Sequence, residues 1–105
     1  KNDKVLCIGL TYKKNIDDLR NSPSLEIFDK LKNYFSKIEY NDNFIPSINT
    51  GSFTIRNKKI NSFKNYDVVI ILTDHDYIDY IDMLKNSKLI IDCRNRLSDK
   101  KVINL

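Results

Sequence analysis

Apolar residues gather in short unbroken runs separated by charged segments. Residues 4–9, Lys-Val-Leu-Cys-Ile-Gly, and 67–72, Asp-Val-Val-Ile-Ile-Leu, read as strands covered on both faces. Such runs suit a parallel sheet with helices on either side. Residues 88–91 read as another buried strand, 38–40 as a short one, and 101–105 as an added edge strand. Between them the period turns helical. Leu25, Phe28, Leu31 and Phe35 recur at helical spacing, with Ile27 and Tyr34 widening the stripe. Ser22 supplies an N-cap and Pro23 suits the first helical position. A second helix is expected over about 77–84, with Ile78, Ile81 and Leu84 on one face. Residues 41–50, with Asn, Asp, Pro and Ser, read as a loop, 53–60 as a short strand and 61–65 as a brief helical turn.

Strands alternating with helices, without repeats, predict an α/β fold in a single domain spanning 1–105: a three-layer, Rossmann-like, doubly wound and mainly parallel sheet. Right-handed crossovers place the C-terminal ends of the strands on one rim. Three polar segments, 11–20, 73–76 and 92–96, land there. Open α/β sheets bind their ligands at that rim.

Composition excludes several classes. With 105 residues, 41% apolar and 30% charged, the chain has the makeup of a soluble domain that builds a core without disulfides or a metal. No apolar run is long enough to cross a bilayer, and no basic-then-apolar leader opens the chain. A net charge of +4 suits an anionic ligand. No basic run or aromatic–basic interleave points to nucleic acid. Two glycines leave no Gly-rich phosphate loop. Cys7 reads as a small core residue and Cys93 as a strand-end residue, and neither has the spacing of a metal site. The chain opens Lys-Asn-Asp-Lys and enters a strand directly, which reads as a piece cut from a longer polypeptide.

The rim carries the chemistry. Lys13, Lys14, Arg20, Arg94 and Arg96 can supply positive charge to a diphosphate: Arg as a two-pronged fork, Lys as a mobile point charge. Tyr12 can lie against a base or ribose. The helix opening at Ser22 adds backbone N–H groups that favour an anion. The competing reading is solvated loop charge, with Asp17 and Asp18 pairing with Arg20 and the lysines. His75 between Asp74 and Asp76 makes a poor metal site, because sequence neighbours rarely converge on one ion. Capping of the next helix by Asp74 or Asp76 is the simpler expectation. No Ser sits in a Gly-flanked elbow, so a Ser–His–Asp hydrolase has no support.

Gly-Leu-Thr-Tyr-Lys-Lys at 9–14, Asp-Asp-Leu-Arg-Asn-Ser-Pro at 17–23, Leu-Thr-Asp-His-Asp at 72–76 and Asp-Cys-Arg-Asn at 92–95 resemble the C-terminal domain of the UDP-glucose/GDP-mannose dehydrogenase family. Within it the chain looks most like the bacterial UDP-N-acetyl-hexosamine (GlcNAc/ManNAc) 6-dehydrogenases. The resemblance implies an NAD-dependent oxidoreductase that converts the C6 alcohol of a UDP-sugar to a carboxylate for surface polysaccharide synthesis. It implies that Tyr12 and Lys13 contact the UDP moiety, that Arg94 sits near the nucleotide sugar, and that Arg20 reaches NAD bound on another domain. N-terminal and central domains of the same enzyme would be partners, in a cytoplasmic homo-oligomer. No catalytic residue is expected in this chain, and Cys7 and Cys93 do not inherit the family's catalytic cysteine. Asp42 matches a recurrent position of unassigned role. Asn15 stands where the family usually has Asp, and Asn43 where Pro often follows Asp42. Two other readings stay open: a stand-alone, non-catalytic nucleotide-binding or regulatory module, and an assembly domain whose rim charges meet a partner protein.

Overall fold

The computed structural model describes residues 3–49 and 54–105. In chain order its elements are β1 (Lys4–Ile8), α1 (Pro23–Lys32), β2 (Lys37–Asn41), β3 (Ser47–Asn49), β4 (Thr54–Arg56), a 3₁₀ turn (Phe63–Asn65), β5 (Val68–Ile71), α2 (Tyr80–Asn86), β6 (Ile90–Asp92) and β7 (Val102–Asn104). Five strands form one sheet in the order β2-β1-β5-β6-β7, every neighbouring pair parallel, and β3 and β4 form a separate antiparallel hairpin.

The apolar runs follow from the layers. In β1, Val5 and Cys7 join one core cluster and Leu6 and Ile8 the other, so both faces of the strand are buried. Helix α1 puts Phe28 into the first cluster, edge-on to Tyr40 at 5.7 Å between centroids. Helix α2 puts Met83 into the second, so each face of the sheet carries a helix. Ser22 caps α1 as expected, its Oγ accepting the Leu25 N–H at 3.3 Å.

Four expectations are corrected. Ile27 and Tyr34 do not widen the buried stripe; they are 40% and 57% exposed, and α1 ends at Lys32 before the latter. The second helix begins at Tyr80 rather than 77. Ile78 is buried from the turn ahead of it, Ile81 is 81% exposed, and Met83 is the buried helical residue. The helix is capped by Asp79, whose Oδ1 accepts the Asp82 N–H at 3.0 Å, and not by Asp74 or Asp76. Finally, β3 lies inside the segment expected to be a loop; only Ile48 of its three residues is buried, too short an alternation to read. Residues 50–53, including the start of the strand expected at 53–60, fall outside the described residues.

Candidate functional site at the strand C-terminal rim

The loop after β1 is tied down from several sides. Gly9, at φ +86°, donates its N–H to Asn41 O at 2.9 Å and turns the chain off the sheet. Ser22 Oγ donates to Leu10 O at 2.6 Å while capping α1, so one hydroxyl joins loop and helix. The buried Thr73 hydroxyl donates to Thr11 O at 2.5 Å and lies 2.7 Å from Ser24 Oγ.

Arg94 completes this junction. Asp92, fully buried at the end of β6, accepts the Arg94 N–H at 2.9 Å and turns the chain back toward β1. The Arg94 Nη2 then donates to Tyr12 O at 2.9 Å and to Thr73 Oγ1 at 3.3 Å. These contacts border an open groove of about 430 Å³ lined by Tyr12, Lys13, Pro23, Ser24, Cys93 and Arg94, among others. Of the five cations expected to serve a diphosphate, only Lys13 has no ion pair among the described residues. The first turn of α1 opens into the same groove through Pro23 and Ser24.

Arg20 stands next door. It lines a neighbouring hollow with Tyr12, Asp18, Asn21 and Pro23, so Tyr12 and Pro23 separate the two spaces. Its guanidinium grips Asp18 with two bonds, Nε to Oδ1 at 3.1 Å and Nη2 to Oδ2 at 3.0 Å. Those bonds hold the Asp18 carboxyl below the usual carboxylate range. The Arg20 side chain is 87% exposed, so this pair adds little stability and yields readily to a better anion. The solvated-pair reading therefore describes Arg20 in the free chain.

Lys14 and Arg96, two further cations that the sequence offered to an anion, pair with acids of the 74–76 segment in the free chain. Arg96 Nη1 donates to Asp74 O at 3.0 Å and to Asp76 Oδ1 at 3.0 Å, and its guanidinium lies over the Tyr80 ring at 4.5 Å. Lys14 pairs with Asp76 at 3.6 Å. Asn15, at φ +63°, donates from Nδ2 to Asp76 Oδ2 at 2.7 Å and accepts the Asp76 N–H at 2.9 Å. The Asn15 amide, then Arg96, holds the Asp76 carboxyl low. A lowered carboxyl stabilises the fold above its unfolded value, about pH 4, and that contribution fades as pH falls through the folded value. Asn15→Asp removes the donor and adds a like charge. The Asp76 midpoint in a carbon-detected NMR titration is expected to rise; an unchanged midpoint would show that the amide bond does not form in solution.

Two residues whose roles the sequence left unassigned lie beneath the loop. Asp42 and His75 are both fully buried. Asp42 Oδ2 accepts the Leu10 N–H at 2.8 Å and lies 2.8 Å from His75 Nε2, and Oδ1 accepts the Phe44 N–H at 3.0 Å. His75 Nδ1 accepts the Asn15 N–H at 2.7 Å, so the ring proton sits on Nε2 and goes to Asp42. Both ring nitrogens are thus used within the fold, and His75 is not presented as a metal ligand. The sequence placed His75 in a rim segment and matched Asp42 to a recurrent family position, and nothing in it paired the two.

A parallel sheet with crossovers on both faces, and a groove at its strand C-terminal ends lined by Lys13, Arg94 and the first turn of α1, is the arrangement at which domains of the doubly wound class bind nucleotides and phosphates. The comparisons with known proteins agree. The chain matches the UDP-glucose/GDP-mannose dehydrogenase family, UDP binding domain, over residues 6–99. It is 33% identical over 103 residues to the UDP-N-acetyl-D-mannosamine dehydrogenase of Methanococcus vannielii, covering 90% of this chain and 23% of that protein. It is 28% identical over 107 residues to an NDP-N-acetyl-D-galactosaminuronic acid dehydrogenase of Ralstonia nicotianae, covering 97% of this chain and 25% of the relative. A solved UDP-D-ManNAc dehydrogenase from Pyrococcus horikoshii has the same fold, with a TM-score of 0.74 at 22% identity over 98% of this chain and 25% of its own. The chain belongs to the UDP-glucose/GDP-mannose dehydrogenase family, as its C-terminal UDP-binding domain. It spans about a quarter of the length of the relatives it matches. Among the described residues no helix is long and apolar enough to cross a membrane.

Proposed function

We propose that this domain holds the UDP part of a UDP-sugar in an NAD-dependent 6-dehydrogenase that oxidises the sugar's C6 alcohol to a carboxylate. The observation that carries the proposal is the groove with Lys13, which has no ion pair among the described residues, beside Arg94 and the opening turn of α1. Lys13 gives the diphosphate a mobile charge. Arg94 holds the Tyr12 backbone in place and keeps its remaining N–H groups for the nucleotide. Tyr12, half exposed, offers its ring to the uracil or ribose. These residues position the substrate and perform no bond-making, which fits a domain without a nucleophile in its groove: burial and the neighbouring Asp92 push the Cys93 thiol up, away from thiolate.

NAD would supply the hydride acceptor. This chain has two glycines and no dinucleotide fingerprint, so it does not hold the cofactor by itself. Arg20 fits one contact to its phosphates, exchanging Asp18 for them across the face of the neighbouring hollow. The rest of the NAD site, the catalytic cysteine and the oligomer contacts would belong to N-terminal and central domains of the same enzyme.

Calorimetric titration with UDP tests the reading. Binding is expected for the unaltered chain, weakened about tenfold by Lys13→Ala, the loss of one charge-assisted contact of ~1.4 kcal/mol. Arg20→Ala should leave UDP affinity unchanged, since its assigned ligand is NAD. No heat at millimolar UDP, or equal affinity for wild type and Lys13→Ala, would overturn the site assignment.

A further inference from the structure

We infer that His75 is a positioning residue for the nucleotide loop, acting as a buried latch between Asp42 and the backbone of Asn15. This rests on the reading of Tyr12 and Lys13 as the nucleotide contacts.

The loop that carries Tyr12 and Lys13 has no secondary structure of its own. Its upstream side is fixed at Thr11, whose carbonyl accepts from Thr73 and whose hydroxyl donates to Lys13 O at 2.7 Å. Its downstream side is fixed at Asn15, whose backbone N–H is held by His75 Nδ1 and whose side-chain amide is held by Asp76. Lys13 therefore sits between two anchors, each within two residues. Removing the His75 bond leaves Asn15 tied only through its side chain to Asp76, and so loosens the backbone on which Lys13 rides.

The imidazole is itself held on every side. Phe44 and Tyr77 flank the ring at 4.8 Å and 5.6 Å between centroids. Thr11 Oγ1 is 3.3 Å from Nε2, and the Tyr80 hydroxyl donates to His75 O at 2.7 Å. The Asp42 carboxylate fixes the tautomer, because it takes the Nε2 proton and so leaves a lone pair on Nδ1 for Asn15. An aliphatic side chain could fill this space, but it could not accept the Asn15 N–H. The imidazole thereby relays the placement of Asp42, at the end of β2, into the loop after β1. His75 never touches the ligand, since it lies behind the loop and is fully buried.

Two substitutions separate the latch from general packing. In His75→Asn the amide oxygen can occupy the place of Nδ1, keeping the acceptor for Asn15 and losing the donor to Asp42. In His75→Gln the amide nitrogen can occupy the place of Nε2, keeping the donor and losing the acceptor. Each variant loses one buried bond and a similar volume, so their thermal midpoints should fall alike. The latch predicts that His75→Asn keeps UDP affinity within about threefold while His75→Gln weakens it about tenfold, the cost of ordering a loosened loop on binding. Equal affinities in the two variants overturn it.

Two measurements on the unaltered chain need neither UDP nor a folded variant. The Asn15 amide should exchange at least about tenfold more slowly than an open loop amide, as a buried bonded N–H does. The ring nitrogen shifts should report the Nε2–H tautomer. Fast exchange or an Nδ1–H ring overturns the latch. Should UDP fail to bind while both signatures appear, the nucleotide reading falls and the latch stands as a property of the loop alone.

Discussion

Replacing Gly9 with alanine is expected to destabilise the fold strongly, by a large fraction of its total stability. A Cβ at this position would stand 2.3 Å from Thr73 O and 2.5 Å from Thr73 Cβ, overlaps that no rotamer relieves. The residue's φ of +86° adds strain for any L side chain. Thr73 cannot retreat, because its hydroxyl serves Thr11, Ser24 and Arg94 and its N–H donates to Ile8 O at 3.0 Å. Overpacking and backbone strain together cost on the order of 3–5 kcal/mol. That compares with a total stability of about 5–15 kcal/mol for a domain. Urea unfolding checks it: a loss of unfolding free energy below about 1 kcal/mol would mean that β1 and β5 separate more easily than their register suggests.

The second large effect is expected at Asp42. Its carboxylate, fully buried, is the acceptor for the Leu10 and Phe44 N–H groups and for His75 Nε2–H. Asp42→Ala leaves three donors without a partner. At about 1–3 kcal/mol per buried orphan the loss should approach 4 kcal/mol, some of it recovered where water enters. Asp42→Asn keeps one acceptor oxygen and should cost clearly less. A chemical denaturation series of the two variants checks the order; equal losses would show that the carboxylate's charge matters rather than its count of bonds.

The strands were legible because a sheet buried on both faces writes itself as unbroken apolar runs, as in 67–72. The start of α1 was legible because Ser22 and Pro23 carry local signals that tertiary contacts did not override. The start of α2 was misplaced because Ile78, Ile81 and Leu84 happen to fall at helical spacing, although Ile78 is buried by a turn. The Asp79-x-x-Asp82 pair, an N-cap with an acidic first turn, was the better guide. At the rim, the kinds of charge were readable and their partners were not. Pairing of Arg96 with Asp74 and Asp76, or of His75 with Asp42 thirty-three positions away, depends on which loops the crossovers bring side by side. Lys13 shows the reverse: what sets it apart from the other four rim cations is that it has no ion pair among the described residues, which no sequence pattern states.

Arg94 touches Tyr12, Ser24 and Thr73, contacts that span up to 82 positions of sequence. During synthesis, β1, α1 and β2 emerge before β5 and β6 and can associate, but the groove beside Tyr12 and Lys13 is not complete until residue 94 has left the ribosome and β5 has slotted in between β1 and β6. The ligand can therefore recognise only a finished domain. A nucleotide bound there would act by mass action on the completed fold alone, and not on the association of β1, α1 and β2 that precedes it.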